Sequence, residues 1–287
     1  MTAHLLLLAA VIVWGWTFVA TKILLTELGP LEIFAMRLAI GVPSLGLVLA
    51  IRRTPLTLTR LDTRPLLFGG AVFTLHFLVQ IGGLVTTTAT NTGWIITVTP
   101  LVMAVLSYLF LRERLGWNAI AGIAVATTGI VLLVSRGRVA DLGWLRNTGD
   151  WLVLGSTVTW ATYTVATRDL SRRHSPMVVT LSVFLIAGAL TAVLASAAGD
   201  FSRLGSLSAR GIAALLYLGV LGTALAQWFW QAGVAKLGAA RAGMYLYLEP
   251  IATVILAVPM LGEEFGMVAA AGAALVLAGV SLGQRRR

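Results

Sequence analysis

Apolar runs of about 20 residues, the length that crosses ~30 Å of hydrocarbon as a helix, recur along this 287-residue chain with only short polar breaks between them. In hydrocarbon a backbone must satisfy its own hydrogen bonds, so such runs have one open-ended solution, the α-helix. Composition agrees. The chain is 58% hydrophobic and 11% charged, with a mean hydropathy of +0.92, whereas a soluble domain carries about 25% charge. The expected fold class is an all-α polytopic membrane protein, with no room left for a sizeable soluble domain.

Breaks at turn residues and charges place ten transmembrane helices at 4–25, 30–51, 66–86, 90–111, 116–135, 150–168, 177–197, 211–235, 240–261 and 265–284. An even number puts both termini on one side. That side collects fourteen Lys and Arg, among them Arg52, Arg53, Arg168, Arg172, Arg173 and Arg285 to Arg287. The other collects six, Lys22, Arg136, Arg138, Arg146, Arg203 and Arg210, with Glu27, Glu263 and Glu264 beside them. The asymmetry predicts cytoplasmic termini. The net charge of +10 therefore reads as a set of topology determinants, and no nucleic-acid partner is expected. With no cysteine, disulfides, thiolate zinc sites and thiol nucleophiles are excluded. The first run lacks a basic leader and contains Trp14, Gly15 and Trp16, so it reads as a retained helix rather than a removed signal.

The chain also repeats itself. At an offset of 150 residues Gly93 meets Gly243, Pro100 meets Pro250, Glu113 meets Glu263, Gly116 meets Gly266, Gly122 meets Gly272 and Gly129 meets Gly279. With slightly different loop lengths, Trp14 meets Trp160, Pro30 meets Pro176 and Gln80 meets Gln231. The expected units are 1–140 and 141–287, each of five helices. Because five is odd, the second copy enters the membrane upside down, as two inverted five-helix repeats. Inverted repeats with interrupted helices at matching places mark secondary transporters that work by alternating access; a duplicated scaffold without a transport role is the plainer alternative.

The segments "WGWTFVATK", "FAMRLAIG", "TPL", "EPI" and "GEEFG" stand in order along this pattern. Together they resemble the drug/metabolite transporter superfamily, EamA type, over nearly the whole chain, and within it the YddG-type exporters of aromatic and other amino acids. The resemblance implies a carrier in the bacterial cytoplasmic (inner) membrane, with export as its direction and an arginine recurring at the place of Arg37. One departure is visible: Arg112 stands before Glu113 where the family pattern has Gly.

Polar side chains within apolar helices face the bundle interior or a water-filled cavity. His76 and Gln80 share one helix face by their spacing of four, as do Thr223, Gln227 and Gln231 on another, and the repeat sets the two faces opposite one another. The expected substrate-binding residues are Trp14, His76, Gln80, Trp94, Trp160, Tyr163, Gln227, Gln231 and Tyr245; the alternative for the polar members is hydrogen bonding that only locks the bundle. His76 is also a candidate for proton coupling. Pro100 and Pro250 interrupt the backbone ladder and are expected kinks. Arg37 and Glu249 are the intramembrane charges, expected either to pair as a structural or gating ion pair or, for Arg37, to snorkel to the interface.

These residues predict a secondary transporter exporting small amphipathic metabolites, above all amino acids including aromatic or large apolar ones, with the substrate and the lipid bilayer as its partners and a monomer as the working unit. No cofactor or metal is expected, and no catalytic residue. A broad drug or nucleobase exporter is the alternative within transport. An intramembrane enzyme is disfavoured because no Ser/His/Asp set, carboxylate pair or metal cluster stands out, and a channel because no charged ring or filter loop does.

Overall fold

A computed structural model describes residues 2–55, 57–113, 116–135, 147–261 and 267–284. Arg136, Arg138, Arg146, Glu263, Glu264, Gly266 and Arg285 to Arg287, used above, lie outside the described residues, as does the boundary between 140 and 141.

The described residues are helical and contain no strand. In order, the α-helices are α1 (Ala3–Leu24), α2 (Pro30–Ile51), α3 (Thr63–Leu84), α4 (Ala89–Ile95), α5 (Thr99–Leu111), α6 (Trp117–Ser135), α7 (Thr148–Arg173), α8 (Pro176–Ala198), α9 (Ala209–Leu216), α10 (Ala226–Leu237), α11 (Ala239–Gly243), α12 (Glu249–Leu261) and α13 (Met267–Gly283). Six continuous helical runs among the described residues are long and apolar enough to cross a membrane: Ala3–Leu24, Pro30–Ile51, Arg60–Leu84, Ala89–Leu111, Pro176–Ala198 and Ala209–Leu237. Large apolar side chains such as Phe110, Val193, Leu185 and Leu75 point outward, an arrangement that suits lipid and would be an aggregation hazard in water.

Two of the helical runs are broken at the prolines. Between α4 and α5 the residues Ile96–Val98 tighten into a 3-10 turn, and between α11 and α12 Met244–Leu248 do the same. In each case the proline is the second residue of the helix that follows, Thr99-Pro100 in α5 and Glu249-Pro250 in α12. Proline has no N–H for the i→i−4 ladder, so the turn before it closes on shorter bonds. A third irregularity had no sequence signal strong enough to read: Tyr217–Leu225, between α9 and α10, is π-helical.

Glycines set the closest helix contacts. A Cβ on Gly15 would lie 2.7 Å from the Ala252 Cβ and 2.8 Å from the Glu249 carbonyl oxygen, so α1 rests directly on the backbone of α12. α6 and α13 cross in the same way. A Cβ on Gly122 would meet the Gly279 oxygen at 2.5 Å, and one on Gly129 the Gly272 oxygen at 2.7 Å.

Hydrogen bonds and ion pairs tie the helix ends into two layers. One layer joins the α1–α2 turn, the α3–α4 turn, the start of α7 and the segment before α9. There Lys22 Nζ donates to the Leu84 and Thr87 carbonyls at 2.8 Å each, Asp150 accepts from Thr87 and Asn91, and Glu27 accepts from Ser208. The Ser208 bonds hold the Glu27 carboxyl below the usual carboxylate range. The opposite layer joins the start of α3, the ends of α5 and α7, and the start of α11. Asp62 pairs there with Arg173 and His174, and Glu113 with Arg168 at 2.8 Å.

Candidate functional site

Between these layers lies a cavity of about 40 Å³ lined by Trp14, Thr17, Phe18, Arg37, His76, Phe77, Gln80, Ile96, Thr99, Ser156, Thr157, Trp160, Leu246 and Glu249. That is room for a few waters; a whole amino acid needs the walls to part.

The sequence "WGW" positions one wall. Gly15 lets α1 touch α12, and the indoles on either side reach in different directions: Trp14 Nε1 donates to the Gly222 carbonyl at 3.0 Å, and Trp16 Nε1 to the Ala252 carbonyl at 2.9 Å. Gly222 belongs to the π-helical stretch, where the altered bonding pattern presents a carbonyl that a regular α-helix would hold differently. The same stretch anchors Arg37, whose Nε donates to Thr223 Oγ1 at 3.2 Å while the guanidinium stacks over the Phe77 ring at 4.5 Å. Gly219 and Gly222 are the trace this device leaves in the sequence, since a Cβ on either would collide with Ile40 or Thr17.

The other wall is aromatic. Trp160 packs edge to face on Trp14, with centroids 5.0 Å apart, and lies 4.9 Å from the His76 ring. His76 is buried and its Nδ1 is within hydrogen-bond distance of the Ser156 carbonyl (3.0 Å) and Thr159 Oγ1 (3.2 Å). The Ser156 carbonyl accepts only, so this nitrogen carries the proton when it makes that bond. The Trp160 indole N–H is buried and makes no hydrogen bond among the described residues. Both proline breaks contribute in register: Ile96 and Thr99 from the first, Leu246 and Glu249 from the second.

Of the residues predicted from sequence, Trp14, His76, Gln80, Trp160, Arg37 and Glu249 come together on this cavity. Tyr163, Gln227 and Gln231 sit instead in a closed network. Gln227 and Gln231 donate to the Tyr163 hydroxyl at 2.9 and 2.6 Å, Gln231 also donates to Thr167 at 2.9 Å, and Ser171 donates to the Gln231 amide oxygen at 3.1 Å. These side chains lock α7 to α10. Tyr245 bonds His4 near the start of α1, and Trp94 is half-buried outside the cavity lining. Arg37 and Glu249 share the cavity but form no ion pair among the described residues, and Arg37 is buried rather than extended to an interface. Phe18, Phe77, Ser156 and Thr157 join the lining without having stood out in the sequence as site residues. Their signal was only their place one helical turn from a residue that did. Among the described residues no group of three or more His, Asp or Glu side chains is arranged to hold a metal.

The family model for EamA-like transporters matches residues 1–135 and again 147–282. This chain belongs to the EamA-like transporter family. Two curated relatives carry substrate-bearing names. A probable terminal-alkyne amino-acid exporter of Streptantibioticus cattleyicolor is 29% identical, covering 98% of this chain and 92% of the relative. A probable amino-acid metabolite efflux pump of Salmonella typhimurium is 26% identical, covering 96% and 92%. A solved crystal structure superposes with a TM-score of 0.80 at 20% identity, over 98% of this chain and 97% of its own, which is likeness of fold. The EamA-like transporter described here is thus a multi-helix membrane protein of a transporter family, whose relatives are named for carrying solutes rather than for chemistry.

Proposed function

We propose that this protein is a secondary transporter that exports small amphipathic metabolites, amino acids with aromatic or large apolar side chains foremost, by alternating access. The observation that carries the reading is the cavity between the two proline-broken helical runs, with an aromatic wall, amide and hydroxyl groups, and one basic and one acidic side chain. Such a lining suits a solute with an apolar body and a polar head.

Ten transmembrane helices in two inverted repeats, 1–140 and 141–287, with both termini in the cytoplasm of a bacterial inner membrane, complete the proposal. Three observations support the inverted pairing. The breaks at Pro100 and Pro250 have the same form, and the family model matches both halves. The contact of Gly122 with Gly279 becomes, when each residue is replaced by its repeat partner, the contact of Gly272 with Gly129, which is also present. Such a self-exchanging contact is what a two-fold axis between the repeats produces. A monomer suffices for this geometry. Export draws its support from the names of the amino-acid relatives.

Counterflow in proteoliposomes with a panel of radiolabelled amino acids, run with and without a pH gradient, tests the proposal. Exchange of aromatic and large apolar amino acids is the expected result. Exchange of nucleosides or cationic drugs with no amino acid exchanged would overturn the substrate class.

A further inference from the structure

Two ionisable side chains, one basic and one acidic, face the cavity with no ionic partner among the described residues. Arg37 is buried, held by a neutral hydroxyl and an aromatic face. Glu249 is buried at the first residue of α12. Neither makes an ion pair among the described residues. By comparison, Asp62 and Glu113 each have a cationic partner at the layer where they lie, and the buried amides of Gln227 and Gln231 are hydrogen-bonded. An uncompensated buried charge is costly, most of all at membrane depth. A fold that keeps one basic and one acidic side chain on the same cavity leaves a place for a guest that carries both a carboxylate and an ammonium.

We propose that Arg37 and Glu249 are the two poles of a zwitterion site, Arg37 receiving the carboxylate of the solute and Glu249 its ammonium. The inference rests on the amino-acid reading above and deepens it. A guanidinium presents a planar fork of N–H donors that matches a carboxylate, and a carboxylate accepts from an ammonium. The unpartnered Trp160 N–H offers the solute carboxylate or a polar side group one further donor, while Trp14, Phe77 and the Trp160 ring give the apolar body its surface. Selectivity follows from the same arrangement. A plain amine leaves Arg37 unpaired and a plain carboxylic acid leaves Glu249 unpaired, so each forfeits one ion pair and retains the cost of one buried charge. The cavity of about 40 Å³ is lined by both side chains but is too small for a solute, so binding requires the walls to separate around it.

The experiment modifies the ligand and the protein separately. Binding of L-phenylalanine, L-phenylalaninamide and N-acetyl-L-phenylalanine is measured on the detergent-purified full chain, with melting temperature recorded for each variant. In the unmodified protein both derivatives are expected to bind about 30-fold or more weakly than L-phenylalanine, the effect of removing one member of a buried charge pair. In Glu249→Gln the penalty for N-acetylation should disappear while the penalty for amidation stays; in Arg37→Gln the reverse should hold. The comparison of ligands on the unmodified protein needs no variant to fold. Equal binding of all three ligands by the unmodified protein, or penalties unchanged in both variants, would overturn the zwitterion site while leaving amino-acid transport standing. Failure of every amino acid to bind or exchange would instead overturn the reading on which this inference rests, and the inference with it.

Discussion

Trp14 and Trp160, repeat partners in the sequence, meet edge to face at 5.0 Å with their rings 89° apart. Their ends differ: Trp14 is fixed by its bond to Gly222, whereas the Trp160 N–H has no partner among the described residues. One indole is therefore tied into the cavity wall, and the other has the donor that the proposed solute would take up. Trp160→Phe, which keeps an aromatic ring but removes the N–H, is expected to leave the melting temperature nearly unchanged and to raise KM for transport several-fold. Trp160→Ala should cost about 3–5 kcal/mol of stability as well, the usual price of emptying so large a site. Thermal melts together with counterflow kinetics separate the two effects.

The crossing of α6 and α13 depends on the absence of side chains. With a Cβ on Gly279 placed 2.5 Å from the Ala126 nitrogen and 2.6 Å from the Gly122 oxygen, even alanine must push backbone against backbone. Gly279→Ala is expected to destabilise the purified protein by about 1–3 kcal/mol and Gly279→Leu by more. Gly46→Ala, where nothing lies within 4 Å of the added carbon, is the matched control and should leave the melt unchanged.

Arg112 ends α5 in the left-handed region, at φ 54 and ψ 27. A non-glycine residue pays about 1–2 kcal/mol there, which gives a physical reason for the Gly that the family pattern has at this place. Arg112→Gly should raise stability by about 1 kcal/mol, read as an increase in melting temperature with transport retained. A fall in melting temperature would mean that the guanidinium contributes more than the strain costs.

Elements whose cause lies in local chemistry were legible in the sequence. Apolar run length gave the helices to within a few residues, and the missing N–H of Pro100 and Pro250 gave the position of both breaks. Trp14, His76, Gln80 and Trp160, expected on inward faces from the repeat and the four-residue spacing, lie on one cavity, whereas Arg37 and Glu249, expected as an ion pair or as a snorkelling arginine, line it without pairing. What stayed hidden depended on neighbours. Gln227 and Gln231 have the same pattern as His76 and Gln80, yet Tyr163, Thr167 and Ser171 happen to saturate them, and no single-helix pattern reports whether a polar face is satisfied across the gap. The π-helical Tyr217–Leu225 is hidden for the same reason: it is stabilised by what Trp14 and Arg37 bring to it.

Asp62 links stability to pH at the layer joining α3 and α7. The Thr59 backbone N–H and hydroxyl each donate to it at 2.8 Å, and these bonds first, with the His174 charge adding to them, hold the carboxyl down at about 2 from 3.8. A carboxyl depressed in the folded state contributes stability that is present above its unfolded value and is lost as pH falls through the folded one. The melting temperature should therefore decline as pH is lowered from about 4 toward about 2. In Asp62→Asn the protein should melt lower at neutral pH and lose this part of the slope; an identical slope in the variant would assign the acid sensitivity elsewhere.

The two layers of bonds at the helix ends should act as opposed gates if the transporter alternates access. Glu113 joins the end of the first-half helix α5 to α7 through Arg168 at 2.8 Å, and to the start of α11 through the Ala240 N–H at 3.2 Å. On the other side Asp150 joins α7 to the α3–α4 turn through Thr87 and Asn91. Because the chain has no cysteine, one introduced thiol reports accessibility without background, and Thr99→Cys places it on the cavity wall at the first break. A partly exposed ion pair contributes up to about 1 kcal/mol, which corresponds to about a fivefold change in the open population. Adding Glu113→Gln should raise labelling of Cys at that position by a membrane-impermeant maleimide about fivefold from the side bearing the ends of α5 and α7, and lower it from the other. Adding Asp150→Asn should do the opposite. Vesicles of both orientations supply the two sides, and labelling that rises equally from both would mean that the layers hold the bundle together rather than gate it.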